Sequence, residues 1–254
     1  MTSYATDVRA RRMSAAARSA LAAAALIALG AAFWLSPSGP RAAEVAGPIP
    51  VPALDAAPAS GADMQFAVLA GGCFWGVQGV FQHMKGVTSA VSGYAGGDKK
   101  SASYDLVSTG RTSHAEAVLV TYDPKVVSYG QLLHVFFSVA HNPTELNRQG
   151  PDTGAHYRTE IFPQTEEQAK VAKAYIAQLD AAKSFPAPIV TKTGTMKAAF
   201  YPAEAYHQDY ATRHPSNPYI VFNDAPKVEN LKRMFGALFR DKPVLVADAE
   251  RAGH

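Results

Sequence analysis

Residues 65–86 run QFAVLAGGCFWGVQGVFQHMKG, and their reading decides the fold. Gln65–Ala70 is a short apolar run that fits a buried strand. Gly71 and Gly72 break it, and Cys73 stands where a helical pattern begins. Val77, Val80, Phe81 and Met84 then recur at helical spacing, and Gly86 closes the segment. A strand therefore passes through a tight glycine turn into a helix, with the only cysteine of the chain at the junction.

The same alternation continues downstream. Val87–Tyr94 reads as a second strand, followed by a loop at Gly96 and Gly97. In Ala115–Tyr122, Glu116, Val118, Val120 and Tyr122 share one face, and Asp123-Pro124 ends the strand. Ser128 and Gln131 form a capping box for a helix that turns Leu132, Leu133, Phe136 and Val139 inward. Thr159–Phe162 is a short strand. Thr165 and Gln168 open another helix, with Val171, Ala172, Tyr175, Ile176 and Leu179 as its buried stripe. Pro188–Lys192 is expected to be a strand. Asp224 is expected to cap a last helix, with Val228, Leu231, Phe235 and Leu238 inward. Mixed strands and helices over this length predict an α/β (α+β) domain, a two-layer mixed sheet packed against helices.

The chain has 254 residues, 48% hydrophobic and 18% charged, which excludes a wholly disordered protein. Its net charge of +3 gives no reason to expect a nucleic-acid partner. Most of that excess lies at the N-terminus, where Arg9, Arg11, Arg12 and Arg18 precede an uncharged apolar run from Ser19 to Leu35. Basic residues before such a run mark a secretory signal or a signal anchor. The run is just long enough to span a bilayer, and no small-x-small cleavage pattern follows at Ala43 or Ala46. An anchor is favoured over a cleaved signal, with the body on the extracytoplasmic side of the cell membrane, tethered or secreted. Residues 36–62 contain Pro37, Pro40, Pro48, Pro50, Pro52 and Pro58 and read as an extended spacer. The expected organisation is thus a basic segment 1–18, an apolar run 19–35, a linker 36–62, a folded domain 63–242 and a tail 243–254.

Cys73 is where chemistry is expected. A lone cysteine excludes disulfide frameworks and cysteine-cluster metal sites. The two preceding glycines allow a tight turn and close approach of a ligand to the backbone. A thiol at a helix N-terminus faces the positive end of the dipole, which favours thiolate. Phe74 and Trp75 beside it either line an apolar pocket or belong to the core. His114 and Glu116 share one strand face, but two ligands do not make a metal site, and no metal is expected.

Gly72-Cys73-Phe74-Trp75-Gly76 resembles the signature of the A-type peptide methionine sulfoxide reductases. Further blocks follow in the family's order: Ser92-Gly93-Tyr94-Ala95-Gly96-Gly97, then Tyr104, then Gly110 with His114-Ala115-Glu116. Arg148-Gln149-Gly150, Asp152, Gly154 and Tyr157-Arg158 form the next, and Phe200-Tyr201, Ala203-Glu204 and Tyr206-His207-Gln208 the last. Together they cover about residues 66–235. The resemblance implies a ferredoxin-like core and thiol-dependent reduction of methionine S-sulfoxide in oxidised proteins. It implies Cys73 as nucleophile and Glu116 as proton donor. Tyr104 and Tyr157 would bind the sulfoxide oxygen, and Phe74 and Trp75 would hold the methyl group. Asp152 would orient water, a tyrosine or the substrate backbone, and His207 would be an active-site neighbour. The chemistry agrees: a soft nucleophile attacks sulfur, and a carboxyl kept protonated by burial supplies the proton that oxygen needs to leave.

The chain departs from the family in one respect. Many members carry further cysteines near the C-terminus that resolve the oxidised nucleophile, whereas this chain has none. The resemblance then implies no bound cofactor but an external thiol reductant, thioredoxin-like or another dithiol. Oxidised proteins, that reductant and the membrane are the expected partners of a monomer. Two other readings compete: a hydrolase pairing Cys73 with His207 or His114, and a membrane-tethered module without catalysis.

Overall fold

The structure is a computed structural model and describes residues 48–56 and 63–246. The apolar run 19–35, with the segments 1–18, 36–47, 57–62 and 247–254, lies outside the described residues. No helix among the described residues is long and apolar enough to cross a membrane.

Strand β1 (Gln65–Gly71) leads into helix α1 (Phe74–Gln82), and β2 (Val87–Ala95) returns from it. A short helix α2 (Tyr104–Val107) precedes β3 (Ala115–Tyr122). Helix α3 (Tyr129–Val135) continues into a wider helical turn, Phe136–Ala140. A small hairpin, β4 (Arg148–Gln149) with β5 (Asp152–Thr153), comes before β6 (Thr159–Phe162) and α4 (Glu166–Ala181). The chain ends through β7 (Lys192–Thr193), β8 (Phe200–Pro202), α5 (Tyr210–Arg213) and α6 (Ala225–Met234).

One six-stranded sheet has the order β7-β6-β1-β3-β2-β8. All pairs are antiparallel except β6 with β7. Its four central strands, joined through α1 and α3, follow the βαββαβ ferredoxin-like path. Alternation along the strands sorts the core. Ala67, Leu69, Val118, Val120 and Tyr122 meet Val77, Val80 and Phe81 of α1 and Leu132, Leu133 and Phe136 beyond. Val68, Ala70, Ala115 and Ala117 face the other way into a smaller cluster with Ala95 and Phe162, against which Ala198 and Phe200 pack.

The capping box of α3 has both halves: Gln131 N–H donates to the Ser128 hydroxyl at 3.1 Å, and Ser128 N–H to Gln131 Oε1 at 2.9 Å. That of α4 has one half. The Thr165 hydroxyl accepts from Gln168 N–H, but Gln168 Oε1 accepts from Gln164 N–H instead. The strand expected at Pro188–Lys192 is corrected: only Lys192–Thr193 pairs with the sheet. Pro188 has no N–H, Ile189 N–H goes to the Asp180 carboxylate and Val190 N–H to Pro143 O, so none of these three donates to a ladder.

The expected spacer is corrected over residues 48–56. This strap is docked on the domain. Ile49 is buried, the Tyr175 hydroxyl donates to Pro50 O at 2.7 Å, and Gln178 brackets Val51 O and Ala53 N–H at 2.8 Å each. The Asp55 carboxylate accepts from Gly130 N–H at 2.7 Å and from the Ser128 hydroxyl at the start of α3. Prolines suit such a strap because its carbonyls, which proline retains, make the contacts. The packed domain likewise runs past 242, since Val244 N–H donates to Gln82 O at 3.0 Å. A chain starting at residue 63 loses the Ile49 burial and these bonds, about 2–4 kcal/mol, so its Tm falls by roughly 5–10 °C relative to one starting at 48. Equal melting temperatures for the two truncations would show that the strap contributes nothing.

Candidate active site

Cys73 caps α1 and is buried, directly after the turn made by Gly71 and Gly72. Gly72 has φ +87°, and a Cβ there would sit 2.4 Å from the Gln149 side chain, so only glycine lets the β4–β5 hairpin close over the turn. The β1–β3 register runs to Leu69↔Val118. Glu116 lies two residues further along β3, level with the turn, and on the helix-facing side with Val118. Phe74 N–H donates to Glu116 Oε2 at 3.1 Å. The amide following the cysteine thus holds the carboxyl.

Both groups are uncharged near neutral pH. Burial pushes the Glu116 carboxyl up to about 8; the Phe74 N–H opposes the rise, and the Asp152 and Asp224 carboxylates add to it. Burial also pushes the Cys73 thiol up, and the Asp224 and Glu116 carboxylates reinforce this against the Trp75 N–H and Lys227. The expectation that the helix N-terminus favours thiolate is therefore corrected: desolvation and two acidic neighbours outweigh the helix end.

An aromatic box adjoins the thiol. The Phe74 ring lies 5.0 Å from His207 and 5.9 Å from Tyr94. Trp75 stacks on Tyr210 at 3.8 Å and meets the edge of Tyr219 at 5.8 Å. Trp75 Nε1–H donates to His207 Nδ1 at 3.2 Å, which places the His207 proton on Nε2. Burial holds His207 below the usual histidine range. The Tyr104 ring is 4.5 Å from His207, and its N–H donates to Glu204 Oε1 at 2.9 Å. The Tyr94 hydroxyl donates to the other Glu204 oxygen at 2.8 Å. The hydroxyls of Tyr104 and Tyr157 are raised by burial and then by Glu116, with Cys73 also contributing to both, so both remain hydrogen-bond donors around the same two groups.

Asp152, in β5, accepts from the Tyr219 hydroxyl, and burial raises its carboxyl. Asn142, Gln149, Asp152, Tyr219 and Lys227 line a small polar cavity with Cys73. All eight residues singled out from the sequence, Cys73, Phe74, Trp75, Tyr104, Glu116, Asp152, Tyr157 and His207, thus fall in one neighbourhood. Sequence reasoning missed Glu204, Tyr210, Tyr219 and Lys227. Glu204 lies within the last quoted block and Tyr210 just beyond it, which was the available signal; Tyr219 and Lys227 carried none. Asp224 was taken for a helix cap, but its side chain makes no cap bond and pairs with Lys227 instead.

No group of three or more His, Cys, Asp or Glu residues suited to a metal occurs among the described residues. His207 Nδ1 accepts from Trp75, which leaves that ring no free lone pair to serve as a base in the hydrolase reading, and His114 Nε2 is turned to Asp98 O at 3.0 Å.

Comparison with known proteins gives consistent findings. A family model described as peptide methionine sulfoxide reductase matches residues 65–238. The chain is 63% identical over 183 residues to peptide methionine sulfoxide reductase MsrA 2 of Mesorhizobium japonicum, covering 72% of this chain and 93% of that protein. It is 48% identical to peptide methionine sulfoxide reductase MsrA of Thermus thermophilus, covering 69% and 98%. Among solved structures, methionine sulfoxide reductase A of Corynebacterium diphtheriae is similar with TM-score 0.53 at 32% identity, covering 69% of this chain and 89% of that one. Reduced Mxr1 from Saccharomyces cerevisiae gives 0.54 at 32% identity, covering 61% and 87%.

Proposed function

The chain belongs to the peptide methionine sulfoxide reductase family, and from that premise we propose how its own residues carry the reaction. The enzyme reduces methionine sulfoxide in oxidised peptides and proteins to methionine, without a bound cofactor. Phe74 and Trp75 hold the substrate methyl group, and the Tyr104 and Tyr157 hydroxyls bind the sulfoxide oxygen. Those hydrogen bonds strengthen as charge builds on oxygen. Glu116 gives its proton to that oxygen while the Cys73 sulfur attacks the substrate sulfur. The S–O bond breaks, the oxygen ends on Cys73 as a sulfenic acid, and the thiol proton returns to Glu116. The net change is sulfoxide plus thiol to thioether plus sulfenic acid. Asp152 and His207 position their neighbours, Tyr219 and Trp75. The observation that carries this reading is the Phe74 N–H to Glu116 bond, which sets a carboxyl with a pKa of about 8 beside the only thiol.

An external thiol, thioredoxin-like or another dithiol, returns Cys73 to its reduced state. The absence of any second cysteine supports this, since nothing in the chain can resolve the sulfenic acid. Without reductant, each active site therefore forms about one equivalent of methionine, and a sulfenic-acid probe then labels Cys73. Continued turnover without added thiol would contradict the external-reductant reading. The body works on the extracytoplasmic side of the membrane as a monomer, held by residues 19–35. The arginines before that run support the orientation.

Only the S epimer reacts, because the opposite epimer exchanges methyl and oxygen and leaves both tyrosine donors unpaired. With a racemic methionine sulfoxide peptide, consumption stops at half. Equal consumption of both epimers would overturn the proposed pocket.

A further inference from the structure

Lys227 and Asp224 form an ion pair in a place where ion pairs are costly. Nζ lies 3.3 Å from Asp224 Oδ1, and the two side chains are 8% and 1% exposed. Asp224 Oδ2 is buried with no partner. The pair sits directly on the first turn of α1: a Cβ on Gly76 would be 2.1 Å from Asp224 Oδ1 and 2.8 Å from Lys227 Nζ. Burying two charges costs several kcal/mol, and apolar residues of similar size often serve stability as well. Yet the position next to the thiol is given to charge.

Two further facts separate Lys227 from the residues already assigned. It lines the cavity onto which Cys73 opens, between the hairpin carrying Asp152 and the turn carrying Tyr219. Glu116, held by Phe74 N–H, does not line that cavity, nor do Tyr104 and Tyr157. Lys227 is the only lysine or arginine lining the cavity, beside Asn142, Glu145, Gln149, Asp152 and His141, whose ring burial keeps neutral. Lys227 thus shares the cavity at Cys73 with the Asp152–Tyr219 pair, and no step of sulfoxide reduction uses its protons.

We propose that Lys227, held in place by Asp224, is the proton donor of the second half-reaction, in which an outside thiol attacks the Cys73 sulfenic acid and its oxygen leaves as water into this cavity, whose roughly 20 Å³ suits one water molecule. This inference rests on the external-thiol reading above. The thiolate of the reductant forms a bond to the Cys73 sulfur, and the S–OH bond breaks. Hydroxide is a poor leaving group, so the Lys227 ammonium gives it a proton. The products are a mixed disulfide, water and a neutral amine, and the amine regains its proton from solvent. A second thiol then releases Cys73 as thiol and carries the disulfide away. Asp224 keeps the ammonium in its position between turnovers and is a positioning residue.

The test separates the two half-reactions in the full chain. One arm measures the methionine burst without reductant, and the other the loss of sulfenic-acid labelling when dithiothreitol is added after the burst. Lys227→Ala is expected to lower the ratio of recycling rate to burst rate about 100-fold, the order of a lost general acid. Added methylammonium restores much of it by occupying the vacated space. Lys227→Ala leaves Asp224 buried and unpaired, so the neutral pair Asp224→Asn with Lys227→Met serves as a second variant that removes both charges together. It shows the same lowered ratio, with no methylammonium rescue because the methionine fills the site. An unchanged ratio in the double variant, or a burst that falls in step with recycling, overturns the inference. Failure of wild type to recycle with any thiol would instead overturn the external-thiol reading, and this inference with it.

Discussion

Cys73→Ser removes methionine formation, with a loss of at least about 10⁴-fold. The serine oxygen is a harder nucleophile with a much higher pKa, and it forms no analogue of the sulfenic acid. No other thiol exists in the chain to take over. The substitution is close to isosteric, and Cys73 stands at the N-cap of α1, a position that serine favours, so the fold persists. Methionine release from a sulfoxide peptide, measured beside the melting temperature, tests it. Activity near wild type in the folded variant would remove Cys73 from the mechanism.

Glu116→Gln is the second large effect, and its dependence on pH identifies the role. Glutamine still accepts from Phe74 N–H but has no proton to give. Wild type holds its acid form up to about pH 8, so its rate stays level below that point. The variant draws protons from solvent and slows steadily as pH rises. The gap therefore widens from pH 5 to pH 8, reaching roughly 10²–10³-fold, the range of general-acid catalysis. Above pH 8 wild type loses its own proton and the gap stops growing. A loss independent of pH would reject proton donation. Stability moves the opposite way. The folded pKa is raised above the unfolded value, so between about pH 4.5 and 8 the unfolded chain has lost a proton that the folded one keeps. Wild type is destabilised as pH rises through that window, by up to roughly 4 kcal/mol, whereas the glutamine variant is not. The variant should melt above wild type at pH 8, with little difference at pH 4.

The parts of this protein that were legible in the sequence are those whose periodicity is local. Ala115–Tyr122 announces a strand by strict alternation, and its bounds in the structure are the same. Ser128 and Gln131 announce a helix start three residues apart, and the full box forms. The helix after Cys73 follows from Val77, Val80 and Phe81. What escaped depends on distant partners. The Pro50 and Val51 carbonyls meet Tyr175 and Gln178 more than a hundred positions away, so proline-rich sequence was read as spacer. Strand β8 contains Pro202, which local rules count against a strand, but β8 lies at the sheet edge, where proline is tolerated. Site residues in ordered motifs were legible through resemblance. Lys227 was not, because burial makes it notable and a lysine on a helix ordinarily means a wet surface. The protonation of Cys73 was misjudged because the helix end is visible in sequence and the approach of Asp224 is not.

The stretch from Tyr219 to Met234 is built as a wall. Tyr219 is bonded to Asp152, Ile220 is 2% exposed in the wide turn Ile220–Asp224, and Leu231 is fully buried in α6. An enzyme that delivers a resolving cysteine from its own C-terminal stretch needs that stretch to travel. Here the stretch has no thiol to deliver, and Tyr219, Ile220, Asp224, Lys227 and Leu231 tie it to the domain. On the proposed external-thiol cycle this stretch has no cysteine to carry, and amide exchange across residues 219–234 is expected to change little on oxidation of Cys73. On that proposal, turnover under limiting thiol follows the encounter of reductant with the oxidised Cys73. The same proposal makes repair rise with reductant concentration, with no C-terminal segment to wait for.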